Sequence, residues 1–259
     1  MANQARIINF YRRSRSETVS ARALAGAVSA RALAGAVSAV VPAYNEEAGI
    51  TSVLELLHRC PDLAQITVVD DGSTDGTARR VLAFARREPR LRLLRLERNR
   101  GKGAALAAGA EASPSDLLLF LDADLIGVSP QQIERLIEPV RQGSCQMSLA
   151  VFSGPGGPTD LSQAMTPGLS GERCLRWSLF GETPGLAEAR YGAEVALNRF
   201  ARRRGFAVRR VHWPGATHRS KYEKRGLFPG LLAYLRMYGE ILLVPLHLVP
   251  RRTREPLLS

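Results

Sequence analysis

The sequence predicts an α/β fold: a single domain built on a Rossmann-like, mixed but mostly parallel sheet with helices on both faces. The main observation is that short apolar runs typical of buried strands alternate with longer stretches that carry an apolar face at helical spacing. Strands and helices that alternate in units of this length build a parallel sheet covered on both faces. The second observation is size, since 259 residues with 45% hydrophobic content suffice for one large, well-buried core.

The first half of the chain carries the most regular alternation. Its strand patterns are residues 37–44, 65–71, 91–97 and 116–124. Its helix patterns are residues 46–60, 73–88 and 101–112. We expect Ser73 or Thr74 to cap the second helix, because a hydroxyl there accepts a hydrogen bond from the first turn. In sheets of this kind, ligands bind beyond the carboxyl ends of the strands.

The second half is less regular. Its predicted helices are residues 129–142, which open with Ser129 and Pro130, residues 186–205, and one or two closing helices in 224–243. Its predicted strands are residues 145–152 and 206–213. Residues 153–171 are rich in Gly and Pro, which indicates a mobile loop.

Charge and composition restrict the class of partner. The formal charge of +12 and the pI near 10.5 suit nucleic acid, an anionic membrane surface or a phosphate-rich substrate. A nucleic-acid-binding module is one alternative, but aromatic residues are only 6% and do not interleave with the arginines as a stacking surface requires. No apolar run reaches the roughly 18 residues that cross a bilayer. The three cysteines lack CxxC spacing, so a reducing, cytoplasmic compartment is expected.

Two carboxylates, Asp122 and Asp124, end the last strand pattern of the first half. In extended backbone, residues two apart point the same way, so both can face one site. Two close carboxylates repel each other unless they share a cation, and hard oxygen ligands select Mg²⁺ or Mn²⁺. Such an ion neutralises the charge that develops on a diphosphate leaving group.

Two further βα turns carry candidate binding groups. In "VVDDGSTDGT", Asp70 and Asp71 end a strand, where a carboxylate can accept hydrogen bonds from a nucleobase or ribose. In "RNRGKG", Lys102 lies between two glycines that open a helix, an arrangement that suits phosphate. Neither turn matches the dinucleotide fingerprint or the P-loop, which disfavours NAD and P-loop ATPases.

In this order and at these strand ends, "VVPAYNEE", "VVDDGSTDGT", "NRGKG" and "LFLDADL" resemble the family 2 glycosyltransferases of the GT-A fold. The resemblance implies a metal-dependent enzyme that moves a sugar from a nucleoside-diphosphate sugar. It also implies site residues in the first half of the chain. They are Pro42, Tyr44, Glu46 and Asp71 in the nucleoside pocket, Lys102 near the donor, and Asp122 and Asp124 at the metal and diphosphate.

The resemblance is weaker after Leu125. "LSGERCL" and "RYGAEVALN" are similar to acceptor-side segments of bacterial members, which makes Glu172 and Glu194 candidates for a catalytic base. "ATHRSKYEKRG" places His218 where similar glucosyl- and mannosyl-phosphoglycerate synthases have a metal-binding histidine. Imidazole suits Mn²⁺ as a third ligand. Alternatively, Glu172 is a surface acid paired with Arg173, Glu194 is an exposed helix residue and His218 is a loop histidine.

The predicted organisation has four parts. Residues 1–36 form a basic, flexible extension with a tandem nine-residue duplication, and residues 37–125 form the nucleotide-sugar half. Residues 126–225 form the acceptor half, and residues 226–259 a C-terminal helical tail.

We expect a UDP- or GDP-sugar donor and either a small phosphorylated or a polyprenyl-phosphate acceptor. We also expect a cytoplasmic protein that binds no specific nucleic acid. Two associations are left open, which are peripheral contact of the tail with the inner membrane face and a homodimer. A nucleotidyltransferase on a similar sheet is the remaining alternative, which would release pyrophosphate.

Overall fold

A computed structural model of the chain describes residues 7–8, 35–153, 170–189 and 192–219. The strands are β1 (Ile7–Ile8), β2 (Val37–Ala43), β3 (Leu63–Asp70), β4 (Leu91–Arg95), β5 (Leu117–Phe120), β6 (Leu125–Ile126), β7 (Met147–Ser153), β8 (Arg173–Arg176), β9 (Val208–Pro214) and β10 (Thr217–His218). The helices are α1 (Ile50–His58), α2 (Thr77–Ala85), α3 (Lys102–Glu111), α4 (Pro130–Arg141), α5 (Trp177–Glu182) and α6 (Ala193–Arg203).

The main sheet has eight strands in the order β1-β4-β3-β2-β5-β8-β7-β9. Only β8 runs antiparallel to its neighbours, so the predicted mixed, mostly parallel sheet is confirmed. The chain places β3 and β4 on one side of β2, then crosses to place β5 on the other. The winding reverses between β2 and β5, and at such a point open α/β sheets bind ligands beyond the carboxyl ends of the strands.

Two apolar cores lie on opposite faces of the sheet. In β2, Ala39 and Val41 belong to one core, and Val40, between them, belongs to the other. The first core contains α1, α2 and α4, and the second contains α3, α5 and α6. Because successive residues of a strand point to opposite faces, a strand buried on both sides reads as a continuous apolar run.

The start of α4 agrees with its sequence. Ser129 is the N-cap, its hydroxyl accepts from the backbone N–H of Gln132 at 3.3 Å, and the Gln132 side chain accepts from the Ser129 N–H at 2.8 Å. This reciprocal capping box satisfies two N–H groups that a helix start leaves without partners. Pro130 follows at the first helical position, where its missing N–H costs nothing.

Three predicted helix starts are wrong. α1 begins at Ile50 and not at residue 46. α2 begins at Thr77, and neither Ser73 nor Thr74 caps it. The Ser73 hydroxyl instead accepts from the backbone N–H of Asn45 at 3.0 Å, so a contact between two loops replaces the local cap. α6 begins at Ala193 rather than near residue 186, because residues 184–188 form turns and Gly185 takes a positive φ of 71°.

The end of the fourth strand was also predicted wrongly. β5 ends at Phe120, so Asp122 lies past the end of the strand and Asp124 lies in a turn. The sequence did not predict β8 and α5, nor the small sheet of β6 and β10. β8 is buried, between β5 and β7.

Several predicted segments lie outside the described residues. These are most of the leader, most of the predicted loop 153–171, and the tail from residue 220 onward. The exception in the leader is β1, whose two residues pair with Leu93 and Leu94. Within the described part of the chain, no helix combines the length and the apolar content needed to span a membrane.

Candidate metal and donor site

Hydrogen bonds join the turns that follow β2 and β3. The backbone N–H of Glu46 donates to the Thr77 hydroxyl at 2.8 Å, and the N–H of the preceding residue, Asn45, donates to the Ser73 hydroxyl. Asn45 takes a positive φ of 55°, a left-handed conformation that asparagine tolerates better than most residues. Of the predicted pocket residues, Pro42 lies near the end of β2, and Tyr44 and Glu46 lie just after it. All three are half-buried.

Asp71 holds the neighbouring loop in place. It is 3% exposed, and its two carboxylate oxygens accept from the backbone N–H groups of Arg100 at 2.7 Å and Gly101 at 2.8 Å. Gly101 takes a φ of 94°, which glycine adopts without steric cost. α3 starts immediately afterwards, so this anchor positions Lys102 as the first residue of the helix.

Lys102 joins the two halves of the chain. Its Nζ lies 2.6 Å from Oδ1 of Asp122 and 2.7 Å from Oε1 of Glu194, in the first turn of α6. Burial lowers the pKa of Lys102, but the charges of Asp122, Glu194 and then Glu172 outweigh it, so the pKa is raised. The ammonium of Lys102 therefore stays charged at neutral pH.

Asp122, Glu172 and His218 form a cluster with metal-ligand chemistry. One ligand atom from each lies within 4.8 Å of the other two. Nε2 of His218 is 3.0 Å from Oε1 of Glu172 and 3.7 Å from Oδ2 of Asp122. Two carboxylate oxygens and one imidazole nitrogen suit Mn²⁺ well and Mg²⁺ acceptably, so the donor set fits a divalent ion.

Glu172 is fully buried, not the surface acid of the alternative interpretation. The Ser170 hydroxyl donates to its Oε2 at 2.9 Å, and its Oε1 faces His218. Gly171 lies between these residues and Asp122. A methyl group on Gly171 would lie 2.6 Å from Nζ of Lys102 and 2.8 Å from Oδ2 of Asp122, so an alanine here would displace the ends of these two side chains.

The small sheet brings His218 to the cluster. β10 pairs antiparallel with β6 so that His218 lies opposite Leu125, which follows Asp122 by three positions. The Phe152 ring packs against the imidazole with centroids 4.9 Å apart. Burial lowers the pKa of His218, but Glu172, then Asp122 and Asp124, outweigh it and raise the pKa to about 9. Without a metal, the imidazole is therefore protonated at neutral pH.

The structure does not bring Asp124 into the cluster of three. Its backbone carbonyl accepts from the N–H of Arg219 at 3.0 Å, and its charge acts on His218. Glu194 is 7% exposed, so it is not the exposed helix residue of the alternative interpretation.

Sequence reasoning missed Arg173 as a buried cation. The side chain is 1% exposed, and one terminal nitrogen donates to Oδ1 of Asn198 at 3.3 Å while the other donates to the Ser170 carbonyl. Its Nε has no hydrogen-bond partner among the described residues. Burial lowers its pKa, and the charges of Glu194, Glu172 and Asp122 oppose this effect. The feature of the sequence that could have indicated this buried cation is the position of Arg173, directly after Glu172 and before the apolar residues of "CL".

A family model described as glycosyl transferase family 2 matches residues 38–203. The chain belongs to this family. The matched range runs from β2 to the end of α6. It contains Lys102, Asp122, Glu172 and Glu194, whereas His218 lies beyond it.

Curated relatives match part of the chain. An undecaprenyl-phosphate 4-deoxy-4-formamido-L-arabinose transferase of Pseudomonas aeruginosa is 44% identical over 112 residues, 40% of this chain and 32% of that protein. A dolichyl-phosphate beta-glucosyltransferase of Trichomonas vaginalis is 44% identical over 94 residues, 33% of this chain and 28% of that protein. The match therefore spans about a third of the length of these relatives.

Solved structures match nearly the whole chain. Glucosyl-3-phosphoglycerate synthase from Mycobacterium tuberculosis, in complex with Mn²⁺, UDP-glucose and phosphoglyceric acid, is 26% identical with a TM-score of 0.62, covering 90% of this chain and 85% of that one. The same synthase with Mg²⁺ and UDP is 26% identical with a TM-score of 0.62, covering 88% and 84%. The expected GT-A fold is confirmed.

Proposed function

We propose that this protein is a metal-dependent glycosyltransferase that moves a sugar from a UDP-sugar to a phosphorylated acceptor. The observation that carries the proposal is the cluster of Asp122, Glu172 and His218 beside Lys102, at the carboxyl end of β5 in a family 2 chain. Four charged side chains from separate segments meet there, although taking charges out of water is costly unless they are paired.

The cluster supplies the ligands for a divalent ion. Asp122, Glu172 and His218 would hold Mn²⁺ or Mg²⁺, with Asp124 as a further proposed ligand after rearrangement of its turn. The bound ion would neutralise negative charge on the diphosphate leaving group. Because Glu172 and Asp122 raise the pKa of His218, a metal ion would compete with a proton for its Nε2.

The nucleoside would bind beyond the carboxyl ends of β2 and β5. Pro42, near the end of β2, and Tyr44 and Glu46, just after it, keep partial exposure, as contact with a ligand requires. Asp71 would contribute to the base pocket, and its backbone bonds to Arg100 and Gly101 keep its carboxylate fixed. A preformed pocket reduces the ordering cost of binding.

In the reaction, an acceptor oxygen forms a bond to the anomeric carbon while the bond from that carbon to the β-phosphate oxygen breaks. The nucleoside diphosphate leaves with the electron pair. We assign Glu172 to the metal set because it contacts His218 directly. Glu194 is then the carboxylate proposed to act as base in an inverting reaction with a hydroxyl acceptor, once Lys102 has moved away from it.

The acceptor class rests on the extent of the two likenesses. The match to the phosphoglycerate-bound synthase covers 90% of the chain, including the acceptor half, which favours a small phosphorylated acid. The 44% identity to polyprenyl-phosphate transferases over 112 residues favours a lipid phosphate as the second candidate. With that acceptor, the protein would work at the inner membrane face, and a phosphate nucleophile would need no base.

Nucleotide binding tests the proposal. Calorimetric titration of UDP, GDP, ADP, CDP and TDP in Mn²⁺ should show binding of UDP that chelation of the metal abolishes. Asp122→Asn should lose this binding. Asp116→Asn is the matched control, because Asp116 pairs with Arg176 at the opposite end of β5 and should leave binding intact.

Turnover then distinguishes the acceptors. Release of UDP from UDP-glucose in the presence of phosphoglycerate supports a small phosphorylated acid as the acceptor. Release only with undecaprenyl phosphate supports a lipid phosphate as the acceptor. No metal-dependent binding of any nucleotide would refute the transferase proposal. Release of pyrophosphate from a nucleoside triphosphate would support a nucleotidyltransferase instead.

A further inference from the structure

The ammonium of Lys102 occupies one side of the Asp122 carboxylate. Oδ1 of Asp122 lies 2.6 Å from Nζ, while Oδ2 faces His218 at 3.7 Å. The same carboxylate therefore pairs with a fixed cation on one side and belongs to the candidate metal cluster on the other. Two cations that share one carboxylate repel each other, and this repulsion is strong where water is largely excluded.

The surroundings hold the lysine in this position. Asp71 fixes the backbone immediately before Lys102 through the N–H of Gly101, and Glu194 binds Nζ from α6 at 2.7 Å. Gly171 packs so closely that a single added carbon would meet Nζ at 2.6 Å. The side chain is 19% exposed, so little water replaces these contacts.

We propose that Lys102 competes with the divalent cation for Asp122, so that the cation binds weakly until a nucleoside diphosphate offers the lysine other oxygen partners. The inference rests on the proposed function, because it requires the metal site and the donor. Lys102 opens α3, a helix of 10 residues, and a helix N-terminus favours a phosphate next to it. A diphosphate at that position would attract the ammonium away from Asp122 and Glu194.

The consequence is coupling between the two ligands. If the diphosphate frees Asp122, the cation binds more tightly in its presence, and the diphosphate binds more tightly in the presence of the cation by the same factor. Movement of Lys102 also removes the cation from Glu194, so the acceptor-side carboxylate becomes available only after the donor has bound. Lys102 thus acts on the order of assembly and not only on donor affinity.

The test is a titration of Mn²⁺ followed by electron paramagnetic resonance of the free ion, with and without UDP. Wild type should bind Mn²⁺ weakly alone and about tenfold more tightly with saturating UDP, within the usual range of coupling. Lys102→Met should bind Mn²⁺ alone about tenfold more tightly than wild type, because the competing cation is gone. The additional gain from UDP should largely disappear.

Arg100→Met is the matched control. Arg100 is an exposed cation two positions earlier on the same loop, and Asp71 accepts from its backbone N–H, which the substitution keeps. This variant removes the same charge without removing the contact to Asp122, so its Mn²⁺ affinity should equal that of wild type. An equal gain in Arg100→Met would attribute the effect to distant charge and overturn the proposal.

The outcomes separate this inference from the proposed function. If wild type binds Mn²⁺ with UDP but Lys102→Met binds Mn²⁺ alone no more tightly than wild type, the competition is refuted and the metal site stands. If wild type binds no Mn²⁺ with or without UDP, both proposals fail. Circular dichroism checks the folding of each variant, and Lys102→Gln, which keeps a donor between the two carboxylates, replaces Lys102→Met if that protein does not fold.

Discussion

Glu88 makes the stability of the domain depend on pH in a way the structure lets us calculate. Its side chain is 2% exposed and accepts from Arg90 at 2.7 and 2.9 Å and from His58 at 2.8 Å. Arg90 in turn donates to the carbonyl of Cys60 at 2.7 Å, beyond the end of α1. The group thus ties α1 to the start of β4, at the end of the sheet opposite the candidate site.

The Arg90 side chain is the largest cause that lowers the pKa of Glu88; burial opposes it, His58 adds to it, and the resulting pKa is about 2. The distance from the ordinary value of 4.5 corresponds to about 3 kcal/mol of stability at neutral pH. Because the folded pKa is the lower one, this stability is present above 4.5 and is lost as the pH falls toward 2. By pH 3 about 2 kcal/mol of it should be gone.

Urea unfolding followed by circular dichroism at pH 7, 5, 4 and 3 measures this effect. The free energy of unfolding of wild type should exceed that of Glu88→Gln by about 3 kcal/mol at pH 7, and the difference should shrink by about 2 kcal/mol at pH 3. Glu55→Gln is the control, because Glu55 pairs with Arg87 at the surface and contributes little at any pH.

A difference between wild type and Glu88→Gln that does not change with pH would refute the reasoning. It would show that the carboxylate contributes through its shape and neutral hydrogen bonds rather than through its charge. UDP binding per folded molecule should be the same in both proteins, since the network lies far from the candidate site.

Three other substitutions have defined expectations. Asp71→Asn leaves one of two backbone N–H groups without an acceptor, which should cost about 1–3 kcal/mol in urea unfolding and weaken UDP binding in calorimetry; unchanged values for both would contradict the loop-anchoring role. Gly171→Ala forces a methyl group against Lys102 and Asp122 and should abolish Mn²⁺-dependent UDP binding in calorimetry, whereas normal binding would mean that the loop can move away. Ser129→Ala removes the cap of α4 and should cost about 1 kcal/mol in urea unfolding with unchanged UDP binding, and an unchanged midpoint would show that the cap is dispensable.

Local patterns in the sequence were enough to establish most of the secondary structure and its class. The apolar runs of β2 and β3 are mostly buried on both faces, so the local composition is enough to identify them as strands. Ser129 and Gln132 form their capping box within four consecutive residues, so neighbouring positions contain all the information. The acidic residues at the ends of β3 and β5 were also recognisable locally, because each group directly follows an apolar strand run.

Contacts between distant segments decided the rest. Ser73 lost its expected capping role because Asn45, 28 positions away, uses its hydroxyl. The antiparallel strand β8 has only four residues, too few for a clear pattern, and its place in the sheet depends on pairing with β5 and β7.

The candidate site shows the same division. The residue types of the site could be identified from the sequence, because carboxylates and histidine are metal ligands and a lysine between glycines suits phosphate. Their grouping was not: Glu172 and His218 are 46 positions apart and meet only because β8 lies beside β5 and β10 pairs with β6. Lys102 reaches Glu194 through the packing of α3 and α6 on one face of the sheet. Local sequence determines which elements form and which chemistry they carry, whereas the pairing of strands across long separations determines which side chains share one site.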